Sequence, residues 1–269
     1  MRTNLSAERP FSRAQLDACH SYILSQLSQR RENWAGLRPR KPGPAITISH
    51  QTGAGAHEIA ERLALLLQEE ETHGHAPWTV FDRQLMEEVL TEHHLPQSLA
   101  ESLPEDRRPL IRQEIDGLLG LAPPSWVVVP QVAETVLHLA EAGHVILVGR
   151  GVNLIAARMP RVYHVRIVAS LPRRIERVKE LNHLAPENAA KLIKQVDRAR
   201  GRYVKAYFHA GVDDDLLYHL VINTDRVPCP EAAQLIADGA RRCFQQGEGS
   251  RPGESIIPGG LTEPLRRAL

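Results

Sequence analysis

The segment over residues 45–69 places an apolar run, two glycines and an amphipathic helix pattern directly after one another. The run AITIS covers residues 45–49, and Gly53 and Gly55 follow it. Apolar residues then recur at helical spacing, at Ile59, Leu63, Leu66 and Leu67. This order predicts a buried strand, a tight turn and a helix. Backbone N–H groups in such a turn, together with the positive end of the helix dipole, attract an anion. The segment therefore predicts a phosphate site, although an ordinary tight turn has the same pattern.

The turn departs from the common phosphate-loop motif, GxxxxGK followed by Ser or Thr, at three positions. Aligned on Gly55, it has His50 at the first glycine, Ala56 at the lysine and His57 at the hydroxyl residue. The usual ammonium group and the usual Mg²⁺-binding hydroxyl are therefore missing. We expect the imidazolium of His57 to be the substitute cation, unless this side chain points away from the phosphate. The backbone residues expected to bind phosphate are Gly53, Ala54, Gly55, Ala56 and His57.

Four more apolar runs follow the first, and helical patterns lie between and after them. The runs cover residues 78–81, 144–148, 162–169 and 217–223. The helical patterns cover residues 57–68, 130–142, 186–208 and 230–245. Strands that alternate with helices are typical of a parallel sheet in an α/β domain. Gly143 predicts a helix end, whereas Gly239 weakens the last helical pattern.

The sequence predicts three parts. Residues 1–43 are expected to form an N-terminal helical arm and linker, either a solvated helix on a tether or a partner-binding arm. Residues 44–245 are expected to form the main domain. Within it, residues 92–126 contain five prolines and predict an insertion of short helices. Residues 246–269 are rich in glycine and proline, which predicts a flexible tail.

Composition narrows the classes of function. The chain has 269 residues and a formal net charge of +1, so no overall field favours nucleic acid or a membrane surface. No apolar run approaches the roughly 20 residues that span a bilayer, and we expect no signal peptide. Three widely separated cysteines predict a reducing, cytoplasmic location. The pairs His73/His75 and His93/His94 lack a further ligand at a telling spacing, so we expect no protein-bound metal site. The oligomeric state stays open.

Basic residues concentrate locally despite the balanced total. From Arg158 to Lys205 the chain has thirteen basic residues and four acidic ones. This block predicts a focused anion site, with a solvated basic face as the alternative. Nucleic-acid binding is disfavoured because aromatic residues for base stacking are sparse there. The acidic run at 213–215 predicts a solvated loop.

Five motifs together resemble the cytidylate kinase-like family, a branch of the P-loop nucleoside monophosphate kinases. They are ITISHQTGAGAHEIAERLA (46–64), FDRQL (81–85), VGRGVNLI (148–155), DRARGRY (197–203) and LYHLVINT (217–224). The resemblance spans about 45–245. It implies a three-layer P-loop NTPase fold, with a parallel five-stranded sheet and helices on both faces. The N-terminal helical arm predicted above is additional to this fold. It also implies ATP-dependent phosphoryl transfer to a nucleoside monophosphate, with ATP and Mg²⁺ as cofactors.

The resemblance also implies roles for individual residues. It places Asp82, Arg83 and Arg150 on the acceptor side. The catalytic residues it implies are Arg174, Arg177 and Arg200, which neutralise the moving phosphoryl group, and Asp197, which orients an arginine of the lid formed by two helices. Residues 223–225 resemble the loop beside the adenine of the donor.

Two histidines set this chain apart from the resembling proteins. Those proteins often have arginine where His50 and His57 stand. Losing one preorganised charged donor costs about 10²–10³ in rate. The alternative function is therefore a nucleotide-binding regulator that is catalytically weak or inactive.

Overall fold

The computed structural model describes residues 14, 15, 17–19, 21, 22, 42–69, 77–82, 128–149 and 151–246. The five predicted strands are present in these ranges, and their pairings are all parallel. The strands are β1 (Ala45–His50), β2 (Thr79–Asp82), β3 (Val145–Val148), β4 (Val162–Val168) and β5 (Leu220–Asn223). Their order in the sheet is β2-β3-β1-β4-β5. The glycine turn therefore leaves the central strand.

The helices follow the predicted patterns closely. They are α1 (Ala56–Glu69), α2 (Val128–Ala142), α3 (Val152–Ile155), α4 (Leu171–Asn182), α5 (Pro186–Phe208) and α6 (Cys229–Gln246), and a 3₁₀ turn covers Asp215–Leu217. The bounds of α5 agree with the predicted pattern at both ends. Pro186 opens this helix at a position where its missing N–H costs nothing, and His209 closes it in the left-handed conformation.

Helices cover both faces of the sheet and make a three-layer domain. On one face, α1 and α6 pack through alanines and large aliphatic residues against Ile46, Ile48 and Ile146. On the other face, α2, α3 and the end of α5 pack around Leu147. Each buried strand contributes to both clusters because successive side chains point to opposite sides. The predicted α/β architecture is confirmed.

Two glycines mark close approaches that the helices require. Gly143 ends α2 with φ +80°, as the sequence predicts. Gly239 lies inside α6, where a Cβ atom would approach the hydroxyl oxygen of Tyr163 to 2.4 Å. The residue that weakens the sequence pattern is therefore a packing requirement, and α6 continues through it.

The described residues of the N-terminal helix pack on the domain. Tyr22 is buried, stacks edge-on with Phe81 at a centroid distance of 5.5 Å, and donates to the carbonyl oxygen of Gly143. Cys19 is also buried and donates its thiol to the carbonyl oxygen of Val80 at 3.3 Å. This part of the arm is therefore bound to the core, in contrast to the expected solvated helix.

Some expectations fall on residues outside the described ranges. These are Arg83, Arg150, the remainder of the arm and linker, the predicted insertion over 92–126 and the tail from residue 247 onward. Among the helices that the structure describes, none has the length and apolar character needed to cross a membrane.

Candidate active site

The glycine turn has the geometry of a phosphate cradle. It connects β1 to α1 at the carboxyl edge of the sheet, where parallel α/β sheets bind their ligands. Gly53 and Gly55 have φ of +79° and +91°, which residues with a Cβ atom rarely adopt. Within the described part of the chain, no carbonyl oxygen accepts from the N–H groups of Gly53, Gly55 or Ala56. These N–H groups are therefore available to an anion at the start of α1.

Neighbouring helices leave no room for side chains at the two glycines. A Cβ atom at Gly53 would lie 2.8 Å from the carbonyl oxygen of Arg174 in α4. A Cβ atom at Gly55 would lie 3.0 Å from the sulfur of Cys229 at the start of α6. Glycine is thus required at both positions for two reasons, namely the backbone dihedral angles and the close contacts with α4 and α6. The turn is held between α4 and α6.

An ion pair between buried Arg174 and partly buried Asp197 anchors the turn at Thr52. Both the backbone N–H and the hydroxyl of Thr52 donate to Oδ1 of Asp197, at 3.0 and 2.7 Å. The other carboxylate oxygen of Asp197 accepts from Nη1 of Arg174 at 2.6 Å. Arg174 also donates through Nε to the carbonyl oxygen of Ala169 at 3.1 Å. The structure therefore brings Arg174 and Asp197 together beneath the turn, where they hold its backbone.

Arg177 lies closer to the open side of the turn. Its Nη1 donates to the hydroxyl of Thr224 at 2.9 Å, and a Cβ atom at Gly55 would lie 3.2 Å from the same nitrogen. Thr224 is buried and donates to the carbonyl oxygen of Ala54 at 2.9 Å. Burial and then the nearby Glu58 carboxylate raise the pKa of the Cys229 thiol. A neutral thiol beside Arg177 leaves the guanidinium charge available to a phosphate.

Arg200 reaches the end of β1 from α5. Its Nη1 donates to the carbonyl oxygen of His50 at 2.8 Å and lies 3.0 Å from Nδ1 of the same residue. Nδ1 of His50 also lies 3.1 Å from the carbonyl oxygen of Gln51, so the ring contacts both α5 and the phosphate turn.

His57 faces a carboxylate rather than solvent. Its Nε2 lies 2.9 Å from Oδ2 of Asp82, whose side chain is 6% exposed at the end of β2. The rings of His57 and His50 meet edge-on at a centroid distance of 5.8 Å. The sequence expectation of a substitute cation must therefore include Asp82, because the carboxylate offsets a charged imidazolium. Part of the predicted acceptor side thus lies directly beside the phosphate turn.

The turn after β3 contributes glycines to the same edge. Gly151 has φ +71°, and a Cβ atom there would lie 2.7 Å from the Phe208 ring. Packing against α5 therefore leaves no space for a side chain at this position.

Sequence reasoning missed a second buried arginine. Arg166 in β4 is 3% exposed and donates to Asp213 at 2.6 Å and to the Ser49 hydroxyl at 3.3 Å. Its guanidinium carbon also lies 5.6 Å from the ring centroid of Tyr218. The acidic run at 213–215 is exposed, as expected, and its first member also pairs with this buried arginine. The only available signal was an arginine inside an apolar strand pattern.

The basic block is divided between two surfaces. Arg174, Arg177 and Arg200 converge on the carboxyl edge of β1, as described above. Other members line an exposed groove along α5, namely Lys191, Lys194, Arg198 and Arg202. The expected anion site thus uses part of the block, four other members form this groove, and Arg166 is buried.

The comparisons agree with this geometry. The model of the cytidylate kinase-like family matches residues 45–226. A search of curated proteins finds no match. Among solved structures, the chain is similar to an uncharacterized protein from Eubacterium ventriosum ATCC 27560, with 18% identity and a TM-score of 0.53 over 74% of this chain and 98% of that chain. This similarity supports the fold alone.

Two kinases of small acceptors show weaker similarity. A gluconokinase from Sinorhizobium meliloti 1021 has 14% identity and a TM-score of 0.40 over 77% of this chain and 96% of that chain. The shikimate kinase from Acinetobacter baumannii in complex with shikimate has 16% identity and a TM-score of 0.36, over 72% and 90%. The match to the family model covers more than half of the sequence and includes the glycine turn, the arginines of α4 and α5 and the last strand. The protein therefore belongs to the cytidylate kinase-like family.

Proposed function

We propose that the protein transfers a phosphoryl group from ATP to a nucleoside monophosphate, such as cytidylate, or to a similar small acceptor. Family membership supports phosphoryl transfer to a small molecule. The observation that carries the proposal is the glycine turn with backbone N–H groups open to an anion beside several arginines. Three free cysteines support a cytoplasmic location as part of the same proposal.

The donor phosphates bind the backbone from Gly53 to His57 in this proposal. Arg177 is the cation beside Gly55, and it replaces the missing lysine of the common motif. Charge spreads over the equatorial oxygens during phosphoryl transfer, so a fixed guanidinium at this place stabilises the transition state. Asp82 is a carboxylate of suitable chemistry to hold Mg²⁺, which would neutralise charge on the donor phosphates when bound.

Arg174 and Asp197 act as positioning residues in this proposal. Their ion pair lies beneath Thr52, and Arg174 uses Nε and Nη1 on protein oxygens. They keep the turn in its phosphate-binding shape without touching the phosphoryl group. Arg200, which spans from α5 to His50, is placed to close over the transferring group.

The acceptor binds at the neighbouring end of β2 and β3. Asp82 ends β2, and His57 holds its carboxylate at 2.9 Å. We place Arg83 and Arg150 on this side from the family resemblance. The His57–Asp82 pair would then border the gap between donor and acceptor, where it can orient the acceptor oxygen.

The same pair also favours the second candidate, a nucleotide-binding regulator without useful turnover. His57 occupies the position of the Mg²⁺-binding hydroxyl and is bound to Asp82. Such a loop can bind phosphate through its backbone and still transfer it slowly. Multiple turnover separates the two candidates.

The experiment is an ATP-consumption screen across nucleoside monophosphates, with the product mass measured. Arg177→Gln is expected to lower kcat by about 10²–10³. Arg173→Gln is the matched control, because Arg173 is exposed on the same helix. ATP binding without turnover for any monophosphate would favour the regulator. Equal kcat in the two variants would contradict the role of Arg177.

A further inference from the structure

A small polar cavity lies behind Arg200 at the carboxyl edge of the sheet. It is bounded by the end of β1, the turn before α3, the middle of α5 and the segment ahead of β5. Its polar lining residues are Ser49, His50, Asn153, Arg200 and Tyr218. The centre of a water-sized group can occupy a volume of about 10 Å³ in this cavity. This is room for about one such group. The cavity can therefore receive a single oxygen-sized part of a ligand.

Asn153 supplies an unused donor in this lining. The residue is 3% exposed, and its Nδ2 has no hydrogen-bond partner among the residues that the structure describes. Leaving a buried amide donor unpaired costs free energy, so buried polar atoms are nearly always bonded. An orphaned donor on a cavity wall indicates a partner that enters from outside the chain.

The surroundings of Asn153 select the chemistry of this partner. The Ser49 hydroxyl accepts from Arg166 and from Tyr218, both at 3.3 Å, so Ser49 is held by its neighbours. Arg200 adds a guanidinium to the wall, and no described carboxylate lines the cavity. The polar part of the wall therefore offers donors and positive charge, beside the apolar side chains of Leu154, Val204 and Val212. The donors and the charge favour an oxygen that accepts hydrogen bonds and bears negative charge or a carbonyl dipole.

We propose that Asn153 is a specificity residue for the acceptor, because it lines a one-atom cavity, has an unpaired buried Nδ2, and can donate to an oxygen of that molecule. This inference rests on the proposed function and adds a contact to it. A buried donor discriminates strongly, since a ligand without the matching oxygen leaves the amide unpaired. Asn153 thus contributes to acceptor choice rather than to the chemistry at the phosphate turn.

The test uses Asn153→Leu in the full chain. Leucine has a similar size and removes the unpaired donor, so the melting temperature without ligand should stay the same or rise. ATP affinity by calorimetry should also be unchanged, because the phosphate turn does not use Asn153. The KM for the acceptor should rise by about tenfold or more. Asn188→Leu is the control, since Asn188 is exposed at the start of α5.

The acceptors used as probes are CMP, dCMP and UMP. A rise in KM that is equal for all three assigns the oxygen to the phosphate. A smaller rise with dCMP assigns it to the ribose, and a difference between CMP and UMP assigns it to the base. Each of these results supports the proposal.

Two results would overturn the inference while the proposed function stands. One is an unchanged KM in Asn153→Leu, which would mean that the cavity holds only water. The other is a large loss of melting temperature, which would make Asn153 a structural residue. A wild-type protein that neither binds nor phosphorylates any monophosphate would overturn the proposed function itself, and this inference with it.

Discussion

Arg174 and Arg166 are both buried arginines, yet their carboxylate partners differ. Arg174 is 9% exposed and Arg166 is 3% exposed, and each donates to a carboxylate at 2.6 Å. The partner of Arg174 is Asp197, which is 29% exposed and also binds Thr52. The partner of Arg166 is Asp213, which is 82% exposed. The two ion pairs have the same N–O distance, and they differ in how far the carboxylate is exposed to solvent.

The difference shows what each ion pair does. Asp197 joins α5, Arg174 of α4 and the phosphate turn, so its removal affects three elements. Asp213 faces water. If its carboxylate is removed, water can accept the hydrogen bond from Arg166 instead, and Arg166 still contacts Ser49 and the Tyr218 ring. The first pair fixes the glycine turn. The second supports the polar wall of the cavity that contains Asn153.

The largest effect is expected from Asp197→Ala. It leaves Arg174 buried without its carboxylate and leaves Thr52 without its acceptor. Breaking a buried pair in this way costs about 3–5 kcal/mol. For a domain of this size, each kcal/mol lowers Tm by about 2–4 °C, so a loss of roughly 6–20 °C is expected. Calorimetry should show this loss, together with weaker ATP binding.

The control for this prediction is Glu176→Ala. Glu176 pairs with Lys179 at 2.7 Å on the exposed side of α4, where solvent screens the interaction. Its removal should leave Tm and ATP affinity nearly unchanged. If Asp197→Ala behaved like this control, the ion pair beneath the turn would not hold the turn in place.

Acid should destabilise the fold through His164, a buried histidine two residues before Arg166 in β4. Burial, and then the nearby His219, lower the pKa of His164 to about 3. Below about pH 6.5 the imidazole of the unfolded chain binds a proton, whereas native His164 stays neutral until about pH 3. The free energy of unfolding should therefore fall as pH decreases through this window, by at most about 1.4 kcal/mol per pH unit for this group. Urea titrations at pH 7, 6 and 5 measure it.

His164→Gln tests the source of this acid sensitivity. The variant should show a shallower fall in the free energy of unfolding between pH 6.5 and 5. His219, whose pKa burial also lowers, should keep part of the slope. An identical slope in both proteins would assign the acid sensitivity to other groups.

The sequence predicted the strands and helices around Arg174 and Arg166, but not which side chains contact each other there. The period of the apolar residues located the five strands, and the glycines located the phosphate turn. Thr52 and Asp197 are 145 positions apart, and nothing in either local pattern indicates that they meet. Their contact depends on how α5 crosses the edge of the sheet. Thr224, which holds Ala54, was missed for the same reason.

Strand β4 shows why the polar side was harder to predict. His164 and Arg166 alternate with Tyr163, Val165 and Ile167, a pattern that normally indicates one solvated face. Here the polar face is buried, because Asp213 and Tyr218 cover Arg166. Alternation predicts on which face of the strand a side chain lies. Whether that face meets water depends on segments further along the chain, here those with Asp213 and Tyr218.

The smallest effect is expected from Asp213→Ala. The exposed carboxylate contributes little to the ion pair because water screens it, so the loss of stability should be about 1 kcal/mol or less. Arg166 would still donate to Ser49 and lie against Tyr218, and Asp197 with its contacts would be unchanged. ATP affinity should therefore stay at the wild-type value. Guanidinium titration and calorimetric ATP binding measure the two quantities side by side with Asp197→Ala. A loss as large as that of Asp197→Ala would mean that Arg166 depends on its carboxylate despite the exposure of Asp213, and the distinction between the two buried arginines would then fail.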